Sequence, residues 1–193
     1  MLTEIFNIGI GRAANSLSLM AMDEVGLTVP SIKFTTRKKA AGILVTTAGE
    51  VVCSVMQRLE GTFNADAILI FPQANSLEIV KLMVGDTTVQ DLSELELEAL
   101  CEIGNIILNA CIGTLTNILG GEFNISLPST KIDTCWAILE LERRSHDEVV
   151  MLLYIDFIME TRKIHGHLAI LQDIVSIPIF AKKIEDYLST VKH

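Results

Sequence analysis

Glu4-Ile5-Phe6-Asn7-Ile8-Gly9, with Pro30 downstream, returns later in the chain as Glu102-Ile103-Gly104-Asn105-Ile106, with Pro128 downstream. The offset is 98 residues each time (102−4, 105−7, 128−30), and it runs without gaps through Ser31/Ser129, Lys33/Lys131 and Thr36/Thr134 to Glu50-Val51-Val52 against Glu148-Val149-Val150. Such a register is the mark of an internal duplication. Near the C-terminus the offset becomes 100, matching Ile68/Leu168, Ile70/Ile170 and Ser76/Ser176, so two residues enter the second copy before its last strand. The first repeat is placed at about 1–88 and the second at about 91–191. Units of this size share a core more readily than they stand apart, so residues 1–193 are expected to form one pseudo-twofold α+β domain.

Hydrophobic periodicity outlines the elements. A helix is predicted from Leu2 to Met22, with Ile5, Ile8, Leu17 and Met20 on its apolar stripe and Glu4, Asn7 and Gly11 on another face. Strands are expected at Ser31–Thr36, Ile43–Thr47, Glu50–Leu59 and Ala65–Phe71, then a helix over Ala74–Val84 stopped by Gly85, and a linker at Asp86–Gln90. Ser93 with Glu96 reads as a capping box opening a long helix through Leu97, Leu100, Ile103, Ile106 and Ile107 to Gly120-Gly121. Further strands are predicted at Leu127–Asp133, Glu148–Met159 and Lys163–Leu171, with Cys135–Arg143 readable as helix or strand, and a last helix over Ser176–Val191.

Composition narrows the functional classes. The formal charge of −9 and the brevity of the Arg37-Lys38-Lys39 triplet argue against nucleic acid, whose phosphates demand clustered cations. Apolar runs such as Val149–Ile155 fall short of the roughly 18–20 residues of a membrane helix, so no membrane insertion is expected, and a cytoplasmic location fits. Cys53, Cys101, Cys111 and Cys135 lack paired short spacings and read as reduced thiols in or near the core. His165 and His167 alternate on one predicted strand without a third ligand at sensible spacing, so no metal site is expected. Gly9-Ile10-Gly11 lies inside a helical pattern and reads as close helix packing rather than a dinucleotide loop.

The repeated Glu and Asn then carry the chemistry. At i and i+3 they share one helical face. For one copy, a polar residue pair near a helix start does no more than solvate the face and favour the dipole. Two copies in register, each with its proline, favour two copies of one site. Asn is a poor base at neutral pH, but its carboxamide can hold a water in line with a labile phosphoryl group, as Gln does in GTPases. Placement errors of about 1 Å can cost on the order of 10²-fold in rate.

Glu, two residues, Asn, twenty-two residues, Pro resembles the signature of the CheC-type chemotaxis phosphatases, and the Gly166–Leu171 strand and chain length are similar as well. The resemblance spans nearly the whole chain. It implies an antiparallel sheet structure with the two motif helices on an outer face. It also implies a phosphatase acting on the aspartyl phosphate of the response regulator CheY, with Asn7 and Asn105 orienting the attacking water and Glu4 and Glu102 pairing with the regulator's lysine. Mg²⁺ is expected in the regulator, with no cofactor held by this chain. The receptor deamidase CheD is implied as a second partner. Glu98 stands where the family has Asp or Ser, and the equivalent position of the first copy would precede Met1. Three functions stay open: a phosphatase, a non-catalytic module that sequesters the regulator or CheD, and a structural adaptor. Asn7→Ala and Asn105→Ala, as exposed helical changes, are expected to stay within about ±0.5 kcal/mol of neutral. The capping box and full upstream turn before Glu102 predict that the second site is the better preorganised of the two.

Overall fold

In a computed structural model, the described residues are 2–44, 49–62, 64–85, 93–120, 122–140, 148–159, 162–172 and 177–190. In chain order the elements are α1 (Leu2–Ala21), β1 (Val25–Thr28), β2 (Ile32–Thr36), α2 (Arg37–Leu44), β3 (Val51–Gly61), β4 (Ala65–Pro72) and α3 (Gln73–Val84). The second half follows with α4 (Glu94–Leu119), β5 (Phe123–Ile125), β6 (Ser129–Thr134), α5 (Cys135–Ile138), β7 (Val149–Met159), β8 (Arg162–Gln172) and α6 (Ile177–Thr190). Element for element, the second half repeats the first.

The strands form one antiparallel sheet in the order β1-β7-β8-β4-β3-β5, with β2 also on β7 and β6 also on β3. Each half therefore completes the other half's sheet. Val25 faces Met159 on β7, and 98 residues on, Phe123 faces Gly61 on β3; Ile32 faces Leu153, and Thr130 faces Val55. At the centre β4 pairs with β8, where Ile68 faces Ala169 and Leu69 faces Leu168. Adding or subtracting 100 exchanges these two pairs (68+100=168, 169−100=69), so the pseudo-dyad passes between them. The halves cannot separate without tearing both sheet edges.

Alternation along the central strands buries both faces. Cys53, Val55, Leu69, Phe71, Met151 and Leu153 pack under α1, α3, α4 and α6. Val52, Ile68, Ile70, Val150, Leu152 and Leu171 pack under the short helices α2 and α5. Double burial explains the near-continuous apolar runs of β4 and β7. The motif helices α1 and α4 share one face of the sheet and cross near Gly9, where an added Cβ would overlap the Thr114 hydroxyl. Close packing there is as the sequence predicts.

Several expectations are corrected. The buried stripe of α1 is Phe6, Ile10, Ala13 and Leu17; Ile8 is 74% exposed and Met20 is also exposed. The helix is rotated to seat Phe6 and Ile10 in the core. Ile43 belongs to α2, where Ala40, Ala41 and Leu44 fall on one buried face, rather than to a strand; residues 45–47 of that predicted strand lie outside the described residues. The 135–143 segment begins as helix α5, capped by Thr134, whose hydroxyl accepts from the Ala137 N–H at 3.3 Å. The predicted linker at Asp86–Gln90 lies outside the described residues, whereas Gly85 ends α3 at φ 73°, its N–H donating to the Lys81 carbonyl. Over residues 94–118, α4 is long and apolar enough to cross a membrane, against the sequence expectation. Half of that window is buried within the fold, with Leu100, Ile103, Ile107, Leu108, Cys111 and Ile112 all covered by protein. The four cysteines are unpaired, and burial pushes the Cys111 thiol up to about 12.

Candidate functional site

Both motif pairs sit as their spacing requires. Glu4 and Glu102 are exposed, Asn7 and Asn105 are half-buried beside them, and Glu98 is exposed one turn before Glu102. Glu96 accepts from the Ser93 N–H at 3.1 Å and also from its hydroxyl, so the predicted capping box opens α4. Pro30 is exposed and Pro128 is half-buried, each in the turn linking the two short strands of its repeat.

At the first pair, both amide hydrogens of Asn7 and one lone pair of its oxygen are engaged. Its Oδ1 accepts from the Val29 N–H at 2.7 Å, and its Nδ2 donates to the Val29 carbonyl at 3.1 Å and to the Thr3 carbonyl at 3.0 Å. Val29 precedes Pro30, and a residue before proline is driven to extended backbone, which turns its own N–H and C=O to the same side. A side-chain amide can then clasp both, as a neighbouring strand would. The separation Asn7 to Val29 is 22 residues. The Asn-to-Pro spacing of the sequence motif thus has a structural use that the sequence reading missed, and the repeated proline was the available signal.

The second pair does not repeat this clasp. Leu127, the counterpart of the fully buried Val29, is 89% exposed. Asn105 instead accepts at Oδ1 from Gln57 Nε2 at 3.2 Å and from Asn109 Nδ2 at 2.9 Å. Gln57 Nε2 also lies 3.3 Å from the Ser126 carbonyl and 3.5 Å from Asn109 Oδ1. Neither Gln57 nor Asn109 has a polar counterpart in the other half: the equivalents are Ile155 (57+98), buried, and Gly11 (109−98). The sequence reading passed over Gln57, which with Ser54 is one of two buried polar residues of β3. Among the described residues, Asn105 Nδ2 has no hydrogen-bond partner, and the residue is half-buried.

The near-neutral stability expected for Asn7→Ala is accordingly corrected. Three hydrogen bonds to backbone make Asn7 a tie between α1 and the proline turn, and orphaned backbone groups carry a penalty of about 1–3 kcal/mol. Between the two helices runs a groove of about 450 Å³, lined by Ile8, Arg12, Asn109, Thr114, Asn117 and Tyr187 among others. Asn109 joins this groove to the second pair.

Both described histidines of β8 pack against side chains of β7. His165 Nδ1 lies 2.7 Å from Asp156 Oδ1, and Lys163 Nζ lies 2.7 Å from the other carboxylate oxygen. His167 packs edge-on against Tyr154, with ring centroids 4.7 Å apart, and burial pushes it down to about 4, with His165 adding to the shift.

No family model matches the sequence. The chain is 24% identical over 143 residues to the CheY-P phosphatase CheC of Bacillus subtilis (strain 168), covering 72% of this chain and 68% of that protein. Among solved structures it is similar to FliY of Thermotoga maritima, with TM-score 0.72, 22% identity and 95% of each chain covered. The FliM middle domain of H. pylori matches with TM-score 0.63 and 11% identity, covering 94% of each chain. The CheX-CheY-BeF3-Mg²⁺ complex of Borrelia burgdorferi matches with TM-score 0.51 and 18% identity, covering 86% of this chain and 97% of that chain. The CheC-type resemblance carried by the motif therefore holds in sequence, and the α+β fold is shared with FliY, FliM and CheX.

Proposed function

We propose that this chain is a cytoplasmic phosphatase of a phosphorylated CheY-type response regulator. The observation that carries the reading is the exposed Glu102 with Asn105 one turn on, the latter presenting an amide N–H pair that no described residue occupies. In the reaction, a water oxygen bonds to phosphorus as the bond from phosphorus to the regulator's aspartate breaks. The aspartate leaves as carboxylate, and the water's proton ends on phosphate or solvent. Asn105, and Asn7 in the first copy, orient the water, and Glu102 and Glu4 pair with the regulator's lysine. Mg²⁺ belongs to the regulator. The similarity to a CheY-P phosphatase and to a CheX-CheY complex supports this assignment of substrate class.

A second reading is favoured by one observation at the first face, where the Asn7 amide is already bound to Val29. A face of that kind holds a partner, whether regulator or CheD, without hydrolysing it. Phosphate release from purified phosphorylated regulator separates the two readings. The wild-type chain should accelerate release, and Asn7→Ala combined with Asn105→Ala should abolish it. A wild-type chain that binds regulator or CheD with no acceleration overturns the phosphatase reading in favour of the module.

A further inference from the structure

The polarity of a buried carboxamide can be traced to a group that cannot flip. The Ser126 carbonyl is backbone and only accepts; it lies 3.3 Å from the amide nitrogen of Gln57. With that end of Gln57 fixed as NH₂, the neighbouring atom of Asn105 at 3.2 Å must be its oxygen. Asn109 supplies a second donor to the same oxygen at 2.9 Å. Both lone pairs of Asn105 Oδ1 are then used, and its NH₂ is the corner left for a partner. Reversing Asn105 would set three donors against one another.

Gln57 itself is only 3% exposed, and its Oε1 is buried without a hydrogen-bond partner. Leaving such an atom orphaned carries a penalty that an apolar residue would avoid, and Ile155 occupies the equivalent place in the second repeat. The second repeat folds with an isoleucine there, so the fold does not need the glutamine. At the first motif, where the equivalent Ile155 of β7 offers no donor, the Asn7 amide turns to the Val29 backbone instead.

We propose that Gln57 is a positioning residue of the second site: it acts through Asn105, holding that carboxamide off the Leu127 backbone with its NH₂ toward the incoming aspartyl phosphate. The proposal rests on the phosphatase reading above. Since it concerns orientation and not binding, its loss lowers kcat and leaves KM unchanged.

Gln57→Met, similar in size but without a donor, and Gln57→Ile, the residue at the equivalent place in the second repeat, test it with phosphorylated regulator as substrate. Each variant should reduce kcat about ten- to a hundredfold at constant KM and unreduced melting temperature. In an Asn105→Ala background the same changes should have no further effect, because Gln57 has nothing left to position. Full kcat in Gln57→Met, or an equal loss in both backgrounds, overturns the proposal. The side-chain NH₂ resonances of Asn105, assigned by their loss in Asn105→Ala, give a readout that needs no activity. They should shift in Gln57→Met, and unchanged resonances would contradict the orientation. A wild-type chain without phosphatase activity overturns the reaction assignment alone, and the resonances still decide the role of Gln57.

Discussion

The two motif faces carry the same Glu, Asn and Pro at the same spacings, yet their amides end in different states. Asn7 is clasped to the Val29 backbone in both directions, whereas Asn105 is held by two side chains on its oxygen and keeps its nitrogen unoccupied. The difference comes from residues outside the motif. Where β7 places Ile155 and α1 places Gly11, the clasp closes; where β3 places Gln57 and α4 places Asn109, it does not. A motif match thus identifies the residues of a site, and the packing beneath it determines which of their hydrogen-bonding atoms are available.

The largest effect that would sharpen this contrast lies away from the motifs. Arg37 and Glu148 form a buried ion pair at 2.6 Å, with Arg37 also donating to the Leu139 carbonyl at 2.7 Å. The equivalent pair is Cys135 and Glu50, with no cation (37+98=135, 148−98=50). Arg37→Met leaves Glu148 buried and unpaired and should destabilise the fold by about 3–5 kcal/mol in urea titration. A loss equal to that of Cys135→Ala would mean the two halves are tied alike.

Acid should act on the second half next. His167 stands where the first half has Ala67, and burial holds it down at about 4, below the 6.5 of an unburied histidine. The unfolded chain therefore binds the extra proton first. The stability this group supplies is complete above about pH 6.5 and is lost as pH falls toward about 4, a change on the order of 2–3 kcal/mol after allowance for partial exposure. His167→Gln should flatten the melting-temperature profile in that window.

Asn7→Ala follows, with an expected loss of about 1–3 kcal/mol, larger than that of Asn105→Ala because the groups it orphans are backbone. Equal losses would break the distinction between clasped and unclasped faces. Smallest is Pro30→Ala, which frees Val29 from its extended conformation and should cost about 0.4–1 kcal/mol, more than Pro128→Ala.

Much of this architecture is legible in the sequence. The 98-residue offset predicts repeated elements, and the strand registers obey it residue by residue. The exchange of edge strands between halves is not legible, since periodicity marks a strand without naming its partner. Helix α2 is missed because Ile43-Leu44 lies in a short apolar run, which fits helix or strand equally well until packing decides. At the site, spacing places Glu102 and Asn105 together, but the role of Gln57 depends on a contact across 48 residues that no local pattern encodes. The helix-start argument for a better-ordered second site holds for the backbone of α4, with its capping box, while the side chain held by more bonds is Asn7. The availability of the Asn105 nitrogen is a separate argument for the same ranking of the sites.

That ranking is the most direct test of the account. Phosphate release at saturating phosphorylated regulator, measured for the single variants Asn7→Ala and Asn105→Ala beside the wild type, should show a loss on the order of 10²-fold for Asn105→Ala and a small loss for Asn7→Ala. A larger loss from Asn7→Ala would show that the clasped amide is the working one and would contradict the ranking of the second face above the first.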